Sequence, residues 1–579
     1  MNVRFIEGQP SDPLQERRDA LAKTAAIAAA QAIPDAEAPD SVAYRSHGST
    51  LVVGPAAHAL PLADRLAHAL PVTVLLLDAD AAPGLRTYPV FAARAVALAG
   101  WLGAFDVRWQ AAGQAPQQGK FDLVLDLCPS PLIGTHQHPH GYYAPGPDDA
   151  ARRGAADEML EMTGDFEKPK YFAYKERLCA HSRNTRVGCN ACVEICSAGA
   201  IAGDGDRIKV NPYLCAGCGA CTTVCPTGAL GYAFPTASHT GRRLKSALHA
   251  YFDAGGRDPV ILFHSAGEGA ALLQSLDPTV PAPGAAPPRG TPVDATPTLI
   301  SDGIPSRVIP FAVHHTASTG IELWLSALAY GASGITVLMT GAEAPQYLAA
   351  IDRQMAIAQA IVDGLGYAGP HLQLLRVAAP EELAVALQHA PRGEAPAQGA
   401  TFNLAADKRN TLDYALDHLH RHAPQQPQSI ALPAGAPFGA VVVNRDACSL
   451  CMACVGVCPS SALMDGQDLP QLRFVEKNCV QCGLCANTCP ENAIALAPQM
   501  SFAETRNQPV VLHKSEPFHC IRCNKPFGTL QMIENMLGKL SQHAAFAGNL
   551  DRIRMCGDCR VIDMMQPQEE DKVVQLRRV

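Results

Sequence analysis

The sequence has no long hydrophobic run and no excess of basic side chains. Its longest apolar stretches, Val72–Leu77 and the glycine-interrupted Ala327–Gly341, are shorter than the roughly 20 residues of a membrane-spanning helix, so we expect no membrane span. Forty-six basic and fifty-four acidic residues give a net charge of −8, which disfavours nucleic acid as a partner. Only 17% of the 579 residues are charged and 48% are hydrophobic, so we expect several folded domains rather than a disordered chain.

Signatures of small-molecule catalysis are also missing. Gly54 follows the apolar run Leu51–Val53, but neither a G-x-G-x-x-G motif nor a P-loop lysine follows at this turn, so it is only a weak sign of nucleotide binding, and no flavin fingerprint stands out. No Ser/His/Asp order or paired carboxylate motif stands out. We therefore name no catalytic residue. The N-terminus is unlike a secretory signal because Asp19 directly follows Arg17 and Arg18, so we expect a cytoplasmic protein.

What the sequence does have is 21 cysteines, grouped by short spacings, with none between Cys225 and Cys448. An odd number of clustered cysteines in a long chain does not indicate a disulfide framework. Reduced thiols that hold metal in a cytosolic protein explain the pattern better.

Residues 448–490 contain the bacterial ferredoxin run Cys-x2-Cys-x2-Cys-x3-Cys-Pro twice. In a two-cluster ferredoxin, three cysteines of one run and the last cysteine of the other converge on each 4Fe–4S cube. One predicted cluster therefore uses Cys448, Cys451, Cys454 and Cys489. The other uses Cys479, Cys482, Cys485 and Cys458. Small residues inside the runs let N–H groups approach the sulfurs, and apolar neighbours exclude water; these are Ala453, Gly483, Val455, Val457, Leu463 and Ile494.

The same plan occurs earlier in the chain with two departures. The run from Cys215 to Cys225 is regular, but its partner has Arg186 where the leading cysteine is expected and Ser197 where proline follows the last one. Cys179, upstream across the loop AHSRNTRVG, is the expected substitute. The predicted ligand sets are Cys179, Cys189, Cys192 and Cys225 for one cluster and Cys215, Cys218, Cys221 and Cys196 for the other. Three clusters with a degenerate fourth site, and zinc in place of iron, are the alternatives.

The last four cysteines form two separate knuckles, Cys520-x2-Cys523 and Cys556-x2-Cys559, with a predicted helix over Leu530–Leu540 between them. Paired CxxC knuckles are typical of a tetrahedral four-thiolate zinc site, and we predict one structural zinc there. A rubredoxin-like iron site and a free redox dithiol are the alternatives. The remaining cysteine, Cys128, ends a predicted strand and is expected to be a structural free thiol.

Two further features have competing interpretations. His136, His138 and His140 form an H-x-H-x-H pattern in a Pro/Gly-rich loop, where solvated histidines are more common than a metal site. Residues 168–186 carry six basic residues and one acidic residue. This stretch either docks an acidic redox partner or is an ordinary solvated face.

The fold class predicted from these patterns is multidomain α/β and α+β, with two two-cluster ferredoxin-like domains, two small α/β domains and a C-terminal zinc-ribbon-like tail. Val/Leu-rich runs that alternate with helical segments predict parallel sheets in the two α/β regions. The Pro/Gly-rich stretch Pro281–Pro297 is expected to be a loop. The predicted boundaries are 1–45 for a helix and linker, 46–150 and 240–395 for the α/β domains, 165–235 and 436–500 for the ferredoxin domains, and 505–579 for the knuckles.

The arrangement of these parts, including the segment CAHSRNTRVGCNACVEIC, resembles the large multi-cluster 4Fe–4S proteins associated with formate dehydrogenases. The stretch SRVIPFAVHHTASTGIELWLSALAYGASGITVLMTG resembles the delta-type subunit of viologen-reducing hydrogenase, a family that carries a 2Fe–2S cluster on cysteines. Because this stretch holds no cysteine, we expect that cluster to be absent and the domain to act as a scaffold.

The resemblance implies an electron-transfer protein or subunit, rather than a stand-alone enzyme, that carries four 4Fe–4S clusters. Its redox partner would be an oxidoreductase such as a formate dehydrogenase. An accessory or maturation factor for that oxidoreductase is the alternative function, and a catalytic subunit with a substrate site between the α/β domains is a third.

Overall fold

The computed structural model describes residues 12–78, 85–110, 115–278, 280, 303–466, 469–541 and 549–565. The chain forms two compact units. The first comprises Met1–Glu176 and Asn190–Gln426, and the second comprises Arg177–Cys189 and Pro427–Val579. The expected loop Pro281–Pro297 lies outside the described residues.

The first unit begins with the helix Pro13–Gln31, which Asp12 caps by accepting a hydrogen bond from the N–H of Leu14. Its alanines at positions 22, 26 and 30 are buried, and this stripe of small residues lets the helix pack closely against the helix Ala237–Asp253. This helix lies within the stretch 1–45, for which the sequence predicts a helix and a linker.

The N-terminal α/β region is built on a sheet with five parallel strands among the described residues. In spatial order the strands are Val90–Ala92, Val72–Leu76, Thr50–Gly54, Leu123–Asp126 and Tyr142–Tyr143. The central strands are Val/Leu-rich and buried because both faces of the sheet are covered, as in most parallel sheets. Around this sheet lie the helices Ala56–Leu66 and Asp149–Leu160, the antiparallel strands Ala95–Ala99, Phe105–Gln110 and Gln117–Phe121, and the pair Ser41–Ser46 and Gly164–Pro169.

Gly54 has a packing role rather than the role of a nucleotide-binding turn. A β-carbon at this position would lie 2.8 Å from Cβ of Leu127, and its φ of +152° is one that side chains disfavour. The N-terminus of the following helix is occupied as well, because the carboxylate of Asp78 accepts a hydrogen bond from the N–H of Ala56 at 2.9 Å.

The second α/β region has a sheet with four parallel strands in the part of the chain that is described, in the order Val308–Val313, Val260–Ser265, Gly334–Met339 and Leu372–Arg376. The helices of this region are Ala237–Asp253, Glu268–Leu276, Ile321–Ala329, Pro345–Gly364, Pro380–Gln388 and Lys408–Arg421, with a short 3-10 turn at Thr316–Ser318.

The ferredoxin elements of the first unit are short. They are the helices Ala191–Ile195 and Ala220–Val224, the antiparallel pair Phe172–Tyr174 and Leu230–Tyr232, and the hairpin Ile201–Asp204 and Arg207–Val210. The helix Ala191–Ile195 packs against the helix Pro345–Gly364 of the second α/β region. This contact brings a helix of the cysteine-free domain up to a predicted cluster site.

The second unit contains the other ferredoxin region, the C-terminal knuckles and a small hairpin, Ser182–Arg183 with Arg186–Val187. The ferredoxin strands are Ser429–Ala431, Gly439–Val443 and Ile494–Ser501 in one sheet and Leu463–Asp465, Gln471–Phe474 and Val510–Lys514 in another. Its helices are Ala453–Gly456 and Leu484–Thr488, with 3-10 turns at Glu476–Asn478 and Glu504–Asn507. The tail contains the strands Pro517–His519 and Pro526–Thr529, the helices Leu530–Leu540 and Gly557–Met565, and the 3-10 segment Leu550–Arg554.

The helix Leu530–Leu540 has the bounds expected from the sequence. Among the described residues, no helix combines the length and apolarity required to cross a membrane.

Candidate metal centres

The regular ferredoxin runs share a backbone conformation that the sequence pattern does not state. In each, the residue before the second cysteine and the residue after it have positive φ angles. These residues are Gly217 and Gly219, Leu450 and Met452, and Gln481 and Gly483. Left-handed residues at alternate positions curl the chain so that successive N–H groups face a common centre, the arrangement that receives an anionic group.

The residue three positions after each run's last cysteine also has a positive φ. These residues are Gly199, Gly228, Ser461 and Asn492. In three of the four runs this turn directs the next N–H onto the sulfur: Ala200 donates to Cys196 and Ala462 to Cys458 at 3.2 Å, and Ala493 donates to Cys489 at 3.3 Å. Such N–H to sulfur bonds stabilise a thiolate.

The fourth run differs, because the N–H of Ala229 bonds to Oγ1 of Thr227 at 3.1 Å and that oxygen lies 3.5 Å from Sγ of Cys225.

Cys196, Cys215, Cys218 and Cys221 line one pocket of about 450 Å³, together with Ala198, Ile201 and Tyr232. Burial raises the pKa of Cys218 to about 11, and burial with repulsion from the neighbouring sulfurs raises the pKa of Cys221 well above its ordinary value. Partly buried thiols packed side by side need a cationic partner to be held together as thiolates. This donor set therefore fits an iron–sulfur cluster.

The second ferredoxin region has two such pockets, each of about 330 Å³. One is lined by Cys448, Cys451, Cys454 and Cys489, with Leu472 and Ile494 beside them. The other is lined by Cys458, Cys479, Cys482 and Cys485, with Leu463, Phe474 and Leu496. Burial, with repulsion from nearby sulfurs, raises the pKa of Cys454 and of Cys485 to about 12. The structure thus brings each predicted set of four together, and their ligation of a cluster stays a prediction.

The remaining predicted set is divided between the units: Cys179 and Cys189 belong to the second, and Cys192 and Cys225 to the first. Cys179, Cys192 and Cys225 are buried and Cys189 is partly buried. The run that holds Cys189 lacks the paired positive φ angles of the other three runs in the described chain, and Asn190 has a φ of −114°. The role of Cys179 as the fourth ligand stays a prediction.

The C-terminal knuckles do meet. The sulfurs of Cys520, Cys523, Cys556 and Cys559 all lie within 4.8 Å of one another, and those of Cys523 and Cys556 are 3.6 Å apart. A tetrahedral zinc site with Zn–S bonds of about 2.3 Å places its sulfurs about 3.8 Å apart. Burial raises the pKa of Cys520, but backbone N–H groups of Cys523, Cys556 and Arg522 outweigh it and lower the value to about 6. The group is suited to zinc or another thiolate-bound metal.

The histidines of the H-x-H-x-H pattern take part in packing. Nε2 of His136 hydrogen-bonds to the carbonyl oxygen of Ala342 at 2.9 Å. The rings of His138 and His140 lie edge-on to aromatic rings. None of the three belongs to a group of close metal-ligating atoms in the described part of the chain.

Cys128 is half-buried at the end of its strand, and burial together with Asp126 raises its pKa to about 12. A thiol that stays protonated is consistent with a structural role. Asp126 itself is 1% exposed and accepts hydrogen bonds from the N–H groups of Cys128 and Leu132 and from the hydroxyl of Tyr142. No sequence motif indicates this buried carboxylate, which organises the loop after the strand.

Sequence reasoning also missed a tyrosine at a cluster pocket. The hydroxyl of Tyr347 donates to Sγ of Cys218 at 3.0 Å. Burial, with the nearby sulfur, raises the pKa of Tyr347 well above its ordinary value, so this hydroxyl keeps its proton. No ferredoxin motif contains this residue, since it lies 129 positions further along the chain.

Comparison with known proteins agrees with these pockets. Residues 185–229 match a 4Fe–4S dicluster domain family, and residues 447–494 match a second family of the same description. Pyruvate synthase subunit PorD of Thermotoga maritima is 34% identical over 61 residues, which are 10% of this chain and 61% of that protein. The chain therefore spans about three fifths of the length of this curated relative.

The two dicluster matches show that the chain contains two ferredoxin-type 4Fe–4S domains, which together support four 4Fe–4S clusters. The first match begins at residue 185 and so does not include Cys179. It includes Ser197 and the incomplete run from Cys189 to Cys196.

Proposed function

We propose that this protein relays electrons one at a time, through both ferredoxin domains, to or from a partner oxidoreductase. A bound 4Fe–4S cluster supplies the one-electron redox chemistry. The protein's own residues hold the thiolates, exclude water from them and fix their separation. The observation that carries the proposal is the packing of the segment Arg177–Cys189, here called the Cys189 hairpin, against the second ferredoxin domain.

Three buried side chains form the contact: Ala180 of the hairpin, and Val457 and Leu484 of the ferredoxin domain. Cys189 and Cys482, both partly buried, pack against this cluster. Val457 precedes Cys458, and Leu484 lies between Cys482 and Cys485. Residues adjacent in sequence to Cys458 and Cys485, two predicted ligands of one cluster, therefore touch the residue next to Cys179.

Hydrogen bonds to backbone carbonyl groups and a closely packed glycine complete the contact. The side-chain amide of Asn487 donates to the carbonyl oxygen of Val187 at 3.3 Å. Gly188 leaves no space for a side chain, since a β-carbon there would lie 2.5 Å from Cγ of Leu484 and 2.8 Å from the carbonyl oxygen of Ala180. Within the hairpin, Arg183 donates to the carbonyl oxygen of Cys179 at 2.8 Å.

Cys189 and Cys482 also influence one another electrostatically. Burial raises the pKa of Cys482 to about 11, and Cys189 adds to the effect after Cys458 and Cys479. Because charge on one sulfur is felt at the other across an apolar, water-poor contact, this pair is a suitable point for electrons to pass between the predicted clusters of the two domains.

The order of the parts along the sequence, which resembles that of 4Fe–4S proteins associated with formate dehydrogenases, favours a formate dehydrogenase as the partner. The similarity to a pyruvate synthase subunit makes a pyruvate synthase the second candidate partner. Of the basic residues around Cys179, Arg183 has an internal role, whereas Arg177 and Arg186 are exposed. These exposed guanidiniums are suited to an acidic surface on the partner.

The first test is anaerobic quantification of iron, acid-labile sulfide and zinc in the full chain, for which about sixteen iron, sixteen sulfide and one zinc are expected. The second is reduction of the protein by formate dehydrogenase with formate as the electron source. Cys218→Ser and Cys451→Ser should each interrupt transfer to a terminal acceptor. Unimpaired transfer in both variants would contradict the relay.

A maturation role for the same partner makes a different prediction. A strain without this protein would then contain a formate dehydrogenase that is inactive even with artificial dyes. The relay predicts normal dye-linked activity together with loss of the physiological route.

The C-terminal knuckles are proposed to hold one zinc ion that joins the ends of the tail. Cys520, Cys556 and Cys559 are buried. Among the described residues, only the partly buried Phe527 and Met555 pack against these three side chains. With so small an apolar core, four metal bonds would supply most of the folding free energy of this segment.

A further inference from the structure

Ser197 occupies the position where a ferredoxin run has proline, and in the structure its hydroxyl makes a contact that proline could not make. Ser197 is 4% exposed, and its hydroxyl lies in direct hydrogen-bond contact with the hydroxyl of Tyr347. Tyr347 is 1% exposed, and its hydroxyl reaches Sγ of Cys218 at 3.0 Å. A proline at position 197 would remove the hydroxyl that contacts Tyr347.

Tyr347 is held in this position from several directions. It lies in the first turn of the helix Pro345–Gly364, and the ring of His315 packs edge-on against it at 5.4 Å between centroids. On the other side, the backbone N–H of Gln137 donates to the carbonyl oxygen of Ser197 at 3.2 Å. The side-chain oxygen Oε1 of Gln137 lies 3.0 Å from Oγ of Ser197.

The direction of these hydrogen bonds follows from proton counting. Each hydroxyl has one proton to donate. A metal-bound thiolate carries negative charge and is the strongest acceptor within reach, so the proton of Tyr347 is directed to Cys218. Ser197 then donates to the oxygen of Tyr347, which strengthens Tyr347 as a donor. With the proton of Ser197 used in this way, the side-chain amide of Gln137 must be turned so that its NH2 group, in place of Oε1, faces Oγ of Ser197 and donates to it.

We propose that Tyr347, positioned by Ser197, donates a hydrogen bond to the Cys218 thiolate and thereby raises the reduction potential of the cluster predicted on Cys196, Cys215, Cys218 and Cys221. The inference rests on the proposed function, because it requires a cluster at this site. A hydrogen bond to a ligand sulfur favours the more negatively charged, reduced state. The cysteine-free α/β domain thus tunes a cluster of its neighbouring ferredoxin domain.

The test is an EPR-monitored redox titration of the full chain, comparing Tyr347→Phe with the parent protein. The variant keeps the ring and loses only the donor. The equilibrium constant for reduction of one cluster should fall by roughly tenfold, which is about 59 mV toward negative potential for a one-electron couple. Tyr330→Phe is the matched control, since Tyr330 is also buried in this domain and donates to the carbonyl oxygen of Phe402, at 3.0 Å. It should leave every potential unchanged.

Ser197→Ala provides a second, independent test. It keeps the donor on Tyr347 but removes the bond that orients and polarises it, so a smaller shift in the same direction is expected. If Tyr347→Phe fails to retain iron, the reduction potentials of Ser197→Ala decide the question. Unchanged potentials in a variant that retains about sixteen iron would overturn the inference and leave the relay intact. A parent protein without iron would instead overturn the proposed function.

Discussion

Gly188 packs so closely against Leu484 that no side chain fits at the glycine. A β-carbon on Gly188 would lie only 2.5 Å from Cγ of Leu484. This fit attaches the Cys189 hairpin to the second ferredoxin domain. Because Gly188 and Cys189 are adjacent in the chain, any substitution that displaces Gly188 from Leu484 also moves a predicted cluster ligand. The contact is therefore a direct way to test the relay.

Gly188→Val should loosen the hairpin from the second ferredoxin domain. Forcing a branched side chain into a filled space typically costs about 1–3 kcal/mol. We expect faster amide hydrogen exchange over residues 180–189 and slower electron transfer between the two domains. Gly456→Ala is the control, because a β-carbon at Gly456 meets nothing within 4 Å. Unchanged exchange in Gly188→Val would show that the hairpin is not held by this contact.

Cys179→Ser tests the least regular ligand assignment. If Cys179 ligates a cluster, iron should fall from about sixteen to about twelve per chain. Cys128→Ser is the matched control, since Cys128 lies outside the four-cysteine pockets and is only half-buried. Full iron content in Cys179→Ser, measured anaerobically beside the control, would mean that another group completes the site.

Cys520→Ser should release the metal of the tail and leave the clusters alone. We expect one zinc to be lost per chain, unchanged iron and rapid proteolysis of the region after Phe518, because a site with three thiolates no longer closes the tail. Elemental analysis and a protease time course measure both effects. Loss of iron instead of zinc would assign the knuckles to the rubredoxin-like alternative.

His264 predicts a pH dependence of the first unit. This histidine is 2% exposed on a central strand, and burial lowers its pKa to about 4. Because the value lies below the ordinary 6.5, its contribution to stability is complete above pH 6.5 and is lost as the pH falls toward 4. Between pH 7.5 and pH 5 the loss is about 2 kcal/mol.

In a urea titration followed by circular dichroism, His264→Leu should lose this part of the pH dependence. The exposed His389→Leu should retain it. An equal pH dependence in both variants would assign the acid sensitivity to other groups.

The local sequence contained most of the information on the ligand pockets. Cysteines three residues apart can only face one centre when the chain between them is tightly curled, so the spacing itself predicts which residues meet. Three predicted sets of four do line common pockets, and the four knuckle cysteines converge. Parallel strands were likewise predictable, because fully buried Val/Leu-rich runs that alternate with helices have few other folds.

Long-range relationships could not be predicted in the same way. Tyr347 and Cys218 are 129 positions apart, and the helix that carries Tyr347 looks in sequence like any amphipathic helix. The Cys189 hairpin was expected to belong with the first ferredoxin region because its cysteines continue that run, and the structure packs it in the unit of the second. Neither contact has a signature in a single sequence, since side-chain complementarity depends on how distant elements pack.

The sequence by itself determined the chemistry of this protein: cysteine spacing specifies thiolate pockets because it acts over a few residues of covalently linked chain. Only the tertiary structure decided what surrounds each pocket. Three features arise where remote segments meet. They are the hydrogen bond from the Tyr347 hydroxyl to Sγ of Cys218, the shared apolar contact of Cys189 and Cys482, and the buried carboxylate of Asp126. These features control potential, electron route and stability through burial and hydrogen bonding, which are properties of packed structure rather than of sequence order.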